Sequence, residues 1–400
     1  MAINVAIMGF GTVGSGVAET LDVNKDVIAK RIGEEISVKY ILDIRDFPES
    51  RFADLVTHDA DAVFSDKDIS IAVETIGGAR IAYEYTKRAL SSGISVVTSN
   101  KELVSTKGPE LLEIAKSNNC CYLFEAAVGG GIPIIRPIYK CLAANKITKI
   151  AGIVNGTTNY ILSQMKDEGI DFDTALKQAQ ANGFAEANPS ADIDGIDAQR
   201  KISILSTIAN DGDYIAPEKI SAEGISAVTT DDMRFAASIG CDVKLIALYE
   251  AGEDLPIVYV APTLVDKSNL LYSVTGVFNA IMVDGNSLGQ AMFYGQGAGT
   301  LPTASAVCAD VLEVAATSGK PCERRDWSKE SVEITPYDDI SADIVIRVSD
   351  SAKSAEIVKA KGYSCSVLSG EAVLINAILH KDVSGIVSET GASSWMHYLK

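Results

Sequence analysis

The chain has 400 residues, of which 47% are hydrophobic and 22% charged, a length and composition that suit two or three soluble, well-cored domains. Its 53 acidic residues against 35 basic ones leave a formal charge of −18. That balance argues against nucleic acid and anionic membrane as partners, since both are polyanions, but leaves room for a small anionic cofactor held by local donors.

The N-terminus runs straight into an apolar strand, INVAIMGF, with no basic n-region and no stretch long enough to span a bilayer. Asn4 to Gly9 leads into Gly9-Phe10-Gly11-Thr12-Val13-Gly14, a GxGxxG followed by the helical stretch GSGVAETLDVNKDVIAKRI. Gly9 suits a tight turn, Gly11 lets the backbone approach a pyrophosphate, and Gly14 lets helix and strand pack closely. Standing alone, the motif also fits an ordinary glycine-rich βα turn. Strand-like runs then recur at 36–42, 71–76, 94–99 and 121–126, with helical patterns between the last three. Alternating β and α with apolar strands predicts a doubly wound parallel sheet, an α/β Rossmann-type domain over residues 1–126. Its ligands belong at the carboxyl ends of the strands, which groups Gly9–Gly14, Thr98–Lys101 and Glu125–Gly131. After the second strand come Asp43 and Arg45. An acid there favours NAD and an arginine NADP, so the cofactor reads as NAD(P), with Arg45 tilting it towards NADP.

From Ala127 the pattern changes. Gly129-Gly130-Gly131-Ile132-Pro133 predicts a backbone-exposing loop, of a kind that can hold a hard cation through carbonyls and one carboxylate, here Glu125. Residues 152–160, GIVNGTTNY, predict a strand, a polar turn and a helix start able to offer N–H groups to a carboxylate. Residues 179–201 then pack Glu186, Asp192, Asp194 and Asp197 before Lys201. Asp194 is expected to cap the next helix, on which Asp197 and Lys201 stand one turn apart. Taken alone, such a pair is ordinarily a solvated ion pair contributing about 0.3–0.5 kcal/mol. Apolar runs at 244–251 and 256–265 predict strands of a second sheet.

The blocks GFGTVGSGV, VETIGG, VVTSNKELV, FEAAVGGGIPII, GIVNGTTNYIL, the 179–201 stretch and GQGAGTLPTASAV occur in an order that strongly resembles the homoserine dehydrogenase family, across roughly residues 4–325. No aspartokinase portion is present, so the resemblance is to the monofunctional form. It implies reversible NAD(P)-dependent reduction of L-aspartate 4-semialdehyde to L-homoserine, in threonine and methionine biosynthesis. By the same resemblance Lys201 is the general acid and Asp192 shapes the proton path. Glu186 and Asp197 hold the ammonium and hydroxyl end of the substrate, Gly156 and Thr157 line its carboxylate end, and Lys101 reaches both substrate and cofactor. The cofactor set is Gly9, Gly11, Thr12, Val13, Gly14, Arg45, Thr98, Ser99, Lys101, Gly183, Gly297 and Gly299. A monovalent cation, sodium or potassium, falls on Glu125, Val128, Gly130 and Ile132. One departure is Phe184, where many relatives carry tyrosine. The three histidines, His58, His380 and His397, lie outside these blocks, so a lysine among carboxylates is the available proton donor.

Two other readings stand beside this one. Another amino-acid-linked dehydrogenase is disfavoured by the intact 179–201 block, and a catalytically dead dinucleotide sensor by the presence of both Lys201 and Asp192. The expected architecture is completed by an α+β substrate and dimerisation domain over 127–325. Residues 326–400 would form a small βαββ module that is either ACT-like or merely structural, with Trp395 suggesting a docked C-terminus. Seven cysteines (Cys120, Cys121, Cys141, Cys241, Cys308, Cys322 and Cys365) lack CxxC spacing and read as reduced thiols of a cytoplasmic protein. A homodimer is the expected assembly.

Overall fold

The computed structural model describes residues 2–317 and 326–400. The chain forms two compact units, each gathered from separated stretches. One comprises Met1–Ala144, Ser203–Pro217 and Gly295–Val332, the other Asn145–Ile202, Glu218–Tyr294 and Glu333–Lys400. These are not the consecutive segments 1–126, 127–325 and 326–400 expected from the sequence. Packing explains the difference: a helix from beyond residue 300 closes the first core, and the tail strands extend the second sheet.

In the first unit, strands β1 (Ile3–Met8), β2 (Ile36–Leu42), β3 (Val56–Thr57), β4 (Ile69–Glu74), β5 (Ser95–Thr98) and β6 (Tyr122–Leu123) form an all-parallel sheet in the order β3-β2-β1-β4-β5-β6. Helices α1 (Thr12–Val23), α2 (Lys25–Ile32), α3 (Ala60–Ser65), α4 (Arg80–Ser91) and α5 (Lys101–Ser117) make the connections. The expected single helix after the glycines is broken at Asn24, and Gly33 ends α2 in the left-handed conformation (φ 87°). Strands such as β1 are apolar without alternation because both faces are covered. Val5, Ile7 and Val73 of the sheet share one core with Val17 and Leu21 of α1 and with Val307 and Val311 of the helix Thr300–Ala316. Each such fully buried side chain contributes about 1.5–3 kcal/mol. The strand order reverses between β1 and β4, which opens a crevice at their carboxyl ends.

The chain continues with β7 (Ile147–Ile153), α6 (Gly156–Glu168), α7 (Phe172–Ala181), α8 (Ser190–Ile193), α9 (Ile196–Ala209), β8 (Ser221–Ala222), α10 (Thr230–Ser238), β9 (Cys241–Glu250), β10 (Ile257–Asp266), β11 (Phe278–Gly285) and β12 (Gly289–Gln296). The Thr300–Ala316 helix is α11, and the tail adds β13 (Ser341–Arg347), α12 (Ser351–Ala360), β14 (Cys365–Ser369), β15 (Ala372–Leu379), α13 (His380–Thr390) and β16 (Ser394–Leu399). The main path of the second sheet runs β12-β11-β7-β9-β10-β16-β13-β15-β14, with β8 paired to β10. The tail thus exceeds the expected βαββ by a helix and a strand. Gly391 stops α13 in the left-handed conformation (φ 67°), which frees the aromatic segment SWMHYL to form β16. That strand pairs antiparallel with β13 and parallel with β10, so the C-terminus docks, as Trp395 suggested.

Free thiols are found at Cys120, Cys141, Cys241, Cys308 and Cys365. Cys121 is disulfide-bonded, which departs from the expectation of reduced thiols throughout, and Cys322 lies outside the described residues. Among the described residues no helix is long and apolar enough to cross a membrane.

Candidate active site

The glycine turn is built as its spacing requires. Gly9 has φ 92°, and a Cβ on it would stand 2.9 Å from the Thr75 carbonyl oxygen. A Cβ on Gly14 would lie 2.0 Å from the Gly9 oxygen, so α1 can meet the turn only through glycine. Gly11 differs: the nearest atom to its would-be Cβ is Arg45 Nη2 at 4.0 Å, so its glycine leaves open space instead of avoiding a clash. No side chain caps α1, and the first-turn amides at Thr12 and Val13 are free of a capping oxygen. An uncapped helix N-terminus above an open glycine suits a pyrophosphate.

Asp43 and Arg45 turn out to be partners. The Asp43 carboxylate accepts from the Phe10 amide (2.7 Å), the Arg45 amide (3.0 Å), Arg45 Nε (3.1 Å) and Arg45 Nη2 (3.2 Å). Burial works against its charge, but these donors hold the carboxyl below its ordinary range. Four donors fill the acceptor sites of a carboxylate. Arg45 stays well exposed, with donors left over. Beside them, His58 places Nδ1 2.6 Å from the Asp43 carbonyl oxygen and Nε2 3.0 Å from Asp46 Oδ1. Both neighbours are acceptors, an environment that favours a proton on each ring nitrogen. The carbonyl bond and then the Asp46 carboxylate raise its pKa accordingly.

At the ends of the next strands, Thr98 closes β5 and Asn100 caps α5 by accepting from the Leu103 amide at 3.0 Å. Ser99 and Lys101 flank that cap, partly exposed at the carboxyl edge of the sheet. Thr98 Oγ1 donates to Glu74 Oε2 at 2.6 Å, a buried carboxylate that the sequence reading did not single out.

Glu125, expected as a cation ligand, is turned inward. Its Oε1 accepts from the Ile134 and Ile135 amides (2.6 and 2.9 Å) and its Oε2 from the Arg136 amide (2.6 Å). The Glu125 amide in turn donates to Asp310, which pairs with Arg136. The carboxylate therefore fastens the glycine loop to the segment after it. Val128, Gly130 and Ile132 are buried in that loop, and a Cβ on Gly130 would come 2.3 Å from Gly297 O. Gly131 also donates to Gln296 O at 3.1 Å. The loop and the 295–299 segment are thus pressed together, with Gly299 (φ 118°) at the uncapped start of α11. The three amides occupy the Glu125 carboxylate, which is therefore not presented as the cation ligand that the sequence suggests.

In the second unit the acids and lysine converge. Lys201 Nζ stands 2.7 Å from Asp197 Oδ2 and donates to Val154 O at 2.6 Å. Lys201 is 9% exposed and Asp197 4%, so this is a buried pair and not the solvated one that spacing alone suggests. An ammonium has three donors, and only these two are engaged among the described residues. Asn155, which was not singled out, organises the cluster. Its Oδ1 accepts from the Thr158 amide at 2.8 Å, capping α6, while its Nδ2 donates to Asp192 Oδ1 (2.6 Å) and Asp197 Oδ2 (2.8 Å). The capping signal of an Asn before GTT was legible; the second use of its amide needed the fold.

Gly156 and Thr157 open α6, and their amides have no acceptor within the helix. A Cβ on Gly156 would meet Val277 O at 2.8 Å. Glu186 and Gly183 are exposed, with the Glu186 carbonyl accepting from Gln180 Nε2 at 3.1 Å. Phe184 packs against Tyr160 with the rings tilted by 54° and centroids 4.9 Å apart, and the Tyr160 hydroxyl accepts from Asn182 Nδ2 at 3.0 Å. Asp194 is not the cap of α9: it ends α8, and Gly195 O accepts the first bond of α9, from the Gln199 amide at 2.8 Å.

Comparisons with known proteins show what the chain is similar to. A family model for the homoserine dehydrogenase NAD-binding domain matches residues 9–125, and one for homoserine dehydrogenase matches 133–312. The homoserine dehydrogenase of Neisseria gonorrhoeae is 37% identical over 98% of this chain and 90% of its own length. A crystal structure of a homoserine dehydrogenase from Thiobacillus denitrificans superposes with a TM-score of 0.90 at 34% identity, covering 100% of this chain and 99% of that one. A hyperthermophilic archaeal homoserine dehydrogenase in complex with NADPH matches with a TM-score of 0.68 at 31% identity, covering 80% of this chain and 100% of that one.

Proposed function

The chain belongs to the homoserine dehydrogenase family, and from that premise we infer how its residues divide the work. It is an NAD(P)-dependent oxidoreductase that interconverts L-aspartate 4-semialdehyde and L-homoserine. When bound, the nicotinamide supplies the hydride to the carbonyl carbon. Lys201 gives a proton to the carbonyl oxygen, so that a neutral alcohol results. The observation that carries this is the Lys201 ammonium, fixed by Asp197 and Val154 O with its third donor unengaged among the described residues. Asp192, joined to Asp197 through Asn155, shapes the proton path. Asp197 and the exposed Glu186 grip the ammonium and hydroxyl end, while the free amides of Gly156 and Thr157 suit the carboxylate.

On the coenzyme side, the saturated Asp43 has no acceptor to spare for a ribose hydroxyl, and the exposed Arg45 has donors for a phosphate. That supports NADP over NAD. Gly9, Gly11, Thr12, Val13 and Gly14 cradle the pyrophosphate, and Thr98, Ser99, Lys101, Gly183, Gly297 and Gly299 complete the coenzyme set. A monovalent cation would rest on the carbonyls of Glu125, Val128, Gly130 and Ile132. The βαββαβ tail, with β16-β13-β15-β14 as its order, supports an ACT-like module. A cytoplasmic homodimer completes the reading.

The test follows NAD(P)H absorbance with homoserine as the sole added substrate, comparing NADP with NAD, each with and without threonine. Turnover with NADP exceeding that with NAD is expected. No turnover with either coenzyme would sink the assignment.

A further inference from the structure

Glu74 is the last residue of β4, fully buried, and has no cationic partner among the described residues. A buried carboxylate without a counter-charge is costly and needs a compensating role. Its hydrogen bonds suggest one. Oε1 accepts from the Ile76 amide at 2.7 Å, in the loop after β4. Oε2 accepts from Thr98 Oγ1 at 2.6 Å, at the end of β5. Thr98 Oγ1 accepts in turn from the Asn100 amide at 2.9 Å, and Asn100 Nδ2 reaches back to Gly78 O at 2.9 Å. Next to Glu74, the Thr75 hydroxyl donates to Gly9 O at 2.7 Å. The carboxylate thus joins the β4 loop to the β5 loop, and the adjacent Thr75 fastens the same strand end to the glycine turn. These are the three segments that the coenzyme reading requires to hold still.

We propose that Glu74 is a positioning residue for the coenzyme: its carboxylate clamps together the loops after β4 and β5, and the clamp holds only while that carboxylate is ionised. The inference rests on the coenzyme reading above. The groups facing Glu74 are the Thr98 hydroxyl from β5, the Ile76 amide from its own loop and the Tyr122 phenol from β6. The phenol hydroxyl is buried with no hydrogen-bond partner among the described residues, and burial followed by the charge of Glu74 pushes its pKa well up, so it stays neutral. Burial raises the Glu74 carboxyl to about 7, against the bonds from Thr98 and Ile76. A proton on Oε1 sets an O–H against the Ile76 N–H, and a proton on Oε2 makes Thr98 Oγ1 an acceptor in place of a donor, so either position weakens a clamp that the ionised carboxylate makes by accepting both bonds at once. Coenzyme affinity therefore falls as pH drops through neutrality.

The experiment titrates NADH into the full chain by fluorescence between pH 6 and 8. NADH is chosen because its ribose lacks a phosphate that would itself titrate near 6. The wild type is expected to bind about tenfold more weakly at pH 6 than at pH 8, as ionisation centred on 7 predicts. Glu74→Gln, which mimics the protonated acid, should bind at the weak level throughout with no pH dependence. Thr98→Val removes a bond to the ionised form and should move the midpoint upward, and it gives a second reading if Glu74→Gln fails to fold. An unchanged midpoint in both variants, or pH-independent wild-type binding, overturns the proposal. Failure of the wild type to bind NADH and NADPH at any pH overturns the coenzyme reading itself, and this inference with it.

Discussion

Asn155 and Lys201 show how single residues acquire chemistry from their neighbours. In sequence, Asp197 and Lys201 are one turn apart and an exposed pair of small worth. Buried, the same pair leaves an uncompensated charge if either partner is removed. Lys201→Ala should therefore cut kcat by orders of magnitude while the coenzyme dissociation constant stays nearly unchanged, because the lysine and the glycine turn lie on different segments. Asn155→Ala should act more mildly on kcat, since Asp192 and Asp197 lose their shared donor but Lys201 keeps its bonds to Asp197 and Val154 O. Steady-state kinetics with parallel NADPH fluorescence titrations separate the two effects. Equal coenzyme and kcat losses in Lys201→Ala would mark the lysine as structural.

At the scale of elements, β1, the glycine turn and α1 behave as one part. A methyl group at Gly14 would have to push aside the backbone oxygen of Gly9, which is itself held by Thr75. Gly14→Ala is expected to separate the helix from the turn, costing about 1–3 kcal/mol of stability by overpacking. Coenzyme binding should be lost in the same variant, as urea denaturation and a fluorescence titration will show. This element was legible from the order strand, GxGxxG, helix. The break at Asn24 and the short β3 were not, because local apolar periodicity does not report where a helix must bend around a core. In the same way the Glu125 carboxylate was read as a ligand from its company of glycines. The structure spends it on three backbone amides, a use that depends on where the chain turns at Ile134.

At the scale of the whole molecule, the tail strands share a sheet with β10, and a buried histidine pair sits where they join. His397 is 2% exposed, stacks on Tyr259 with centroids 4.6 Å apart, and places Nε2 3.1 Å from His380 Nε2. Burial, then the neighbouring His380, depresses its pKa to about 3. A histidine near 6.5 when unfolded and near 3 when folded binds its proton only in the unfolded chain across that interval. Stability is then retained above about 6.5 and lost as pH falls towards 3, by roughly 2 kcal/mol at pH 5. His397→Phe should flatten this part of the profile, measured as Tm against pH. An identical acid slope in the variant would place the loss elsewhere.

The sequence alone determined the parallel α/β domain, the glycine turn and the helix start at Gly156. Those features are written in local spacing, apolar runs and residue types, which act over a few residues. Only the tertiary structure decided that Lys201 is buried, that Asn155 bridges two aspartates, that Asp43 is already saturated and that Glu74 ties two loops together. It also decided that residues 295–317 and 326–332 fold with the first unit and the tail with the second. Burial and hydrogen-bond saturation depend on atoms brought from distant parts of the chain, and no spacing rule carries that information.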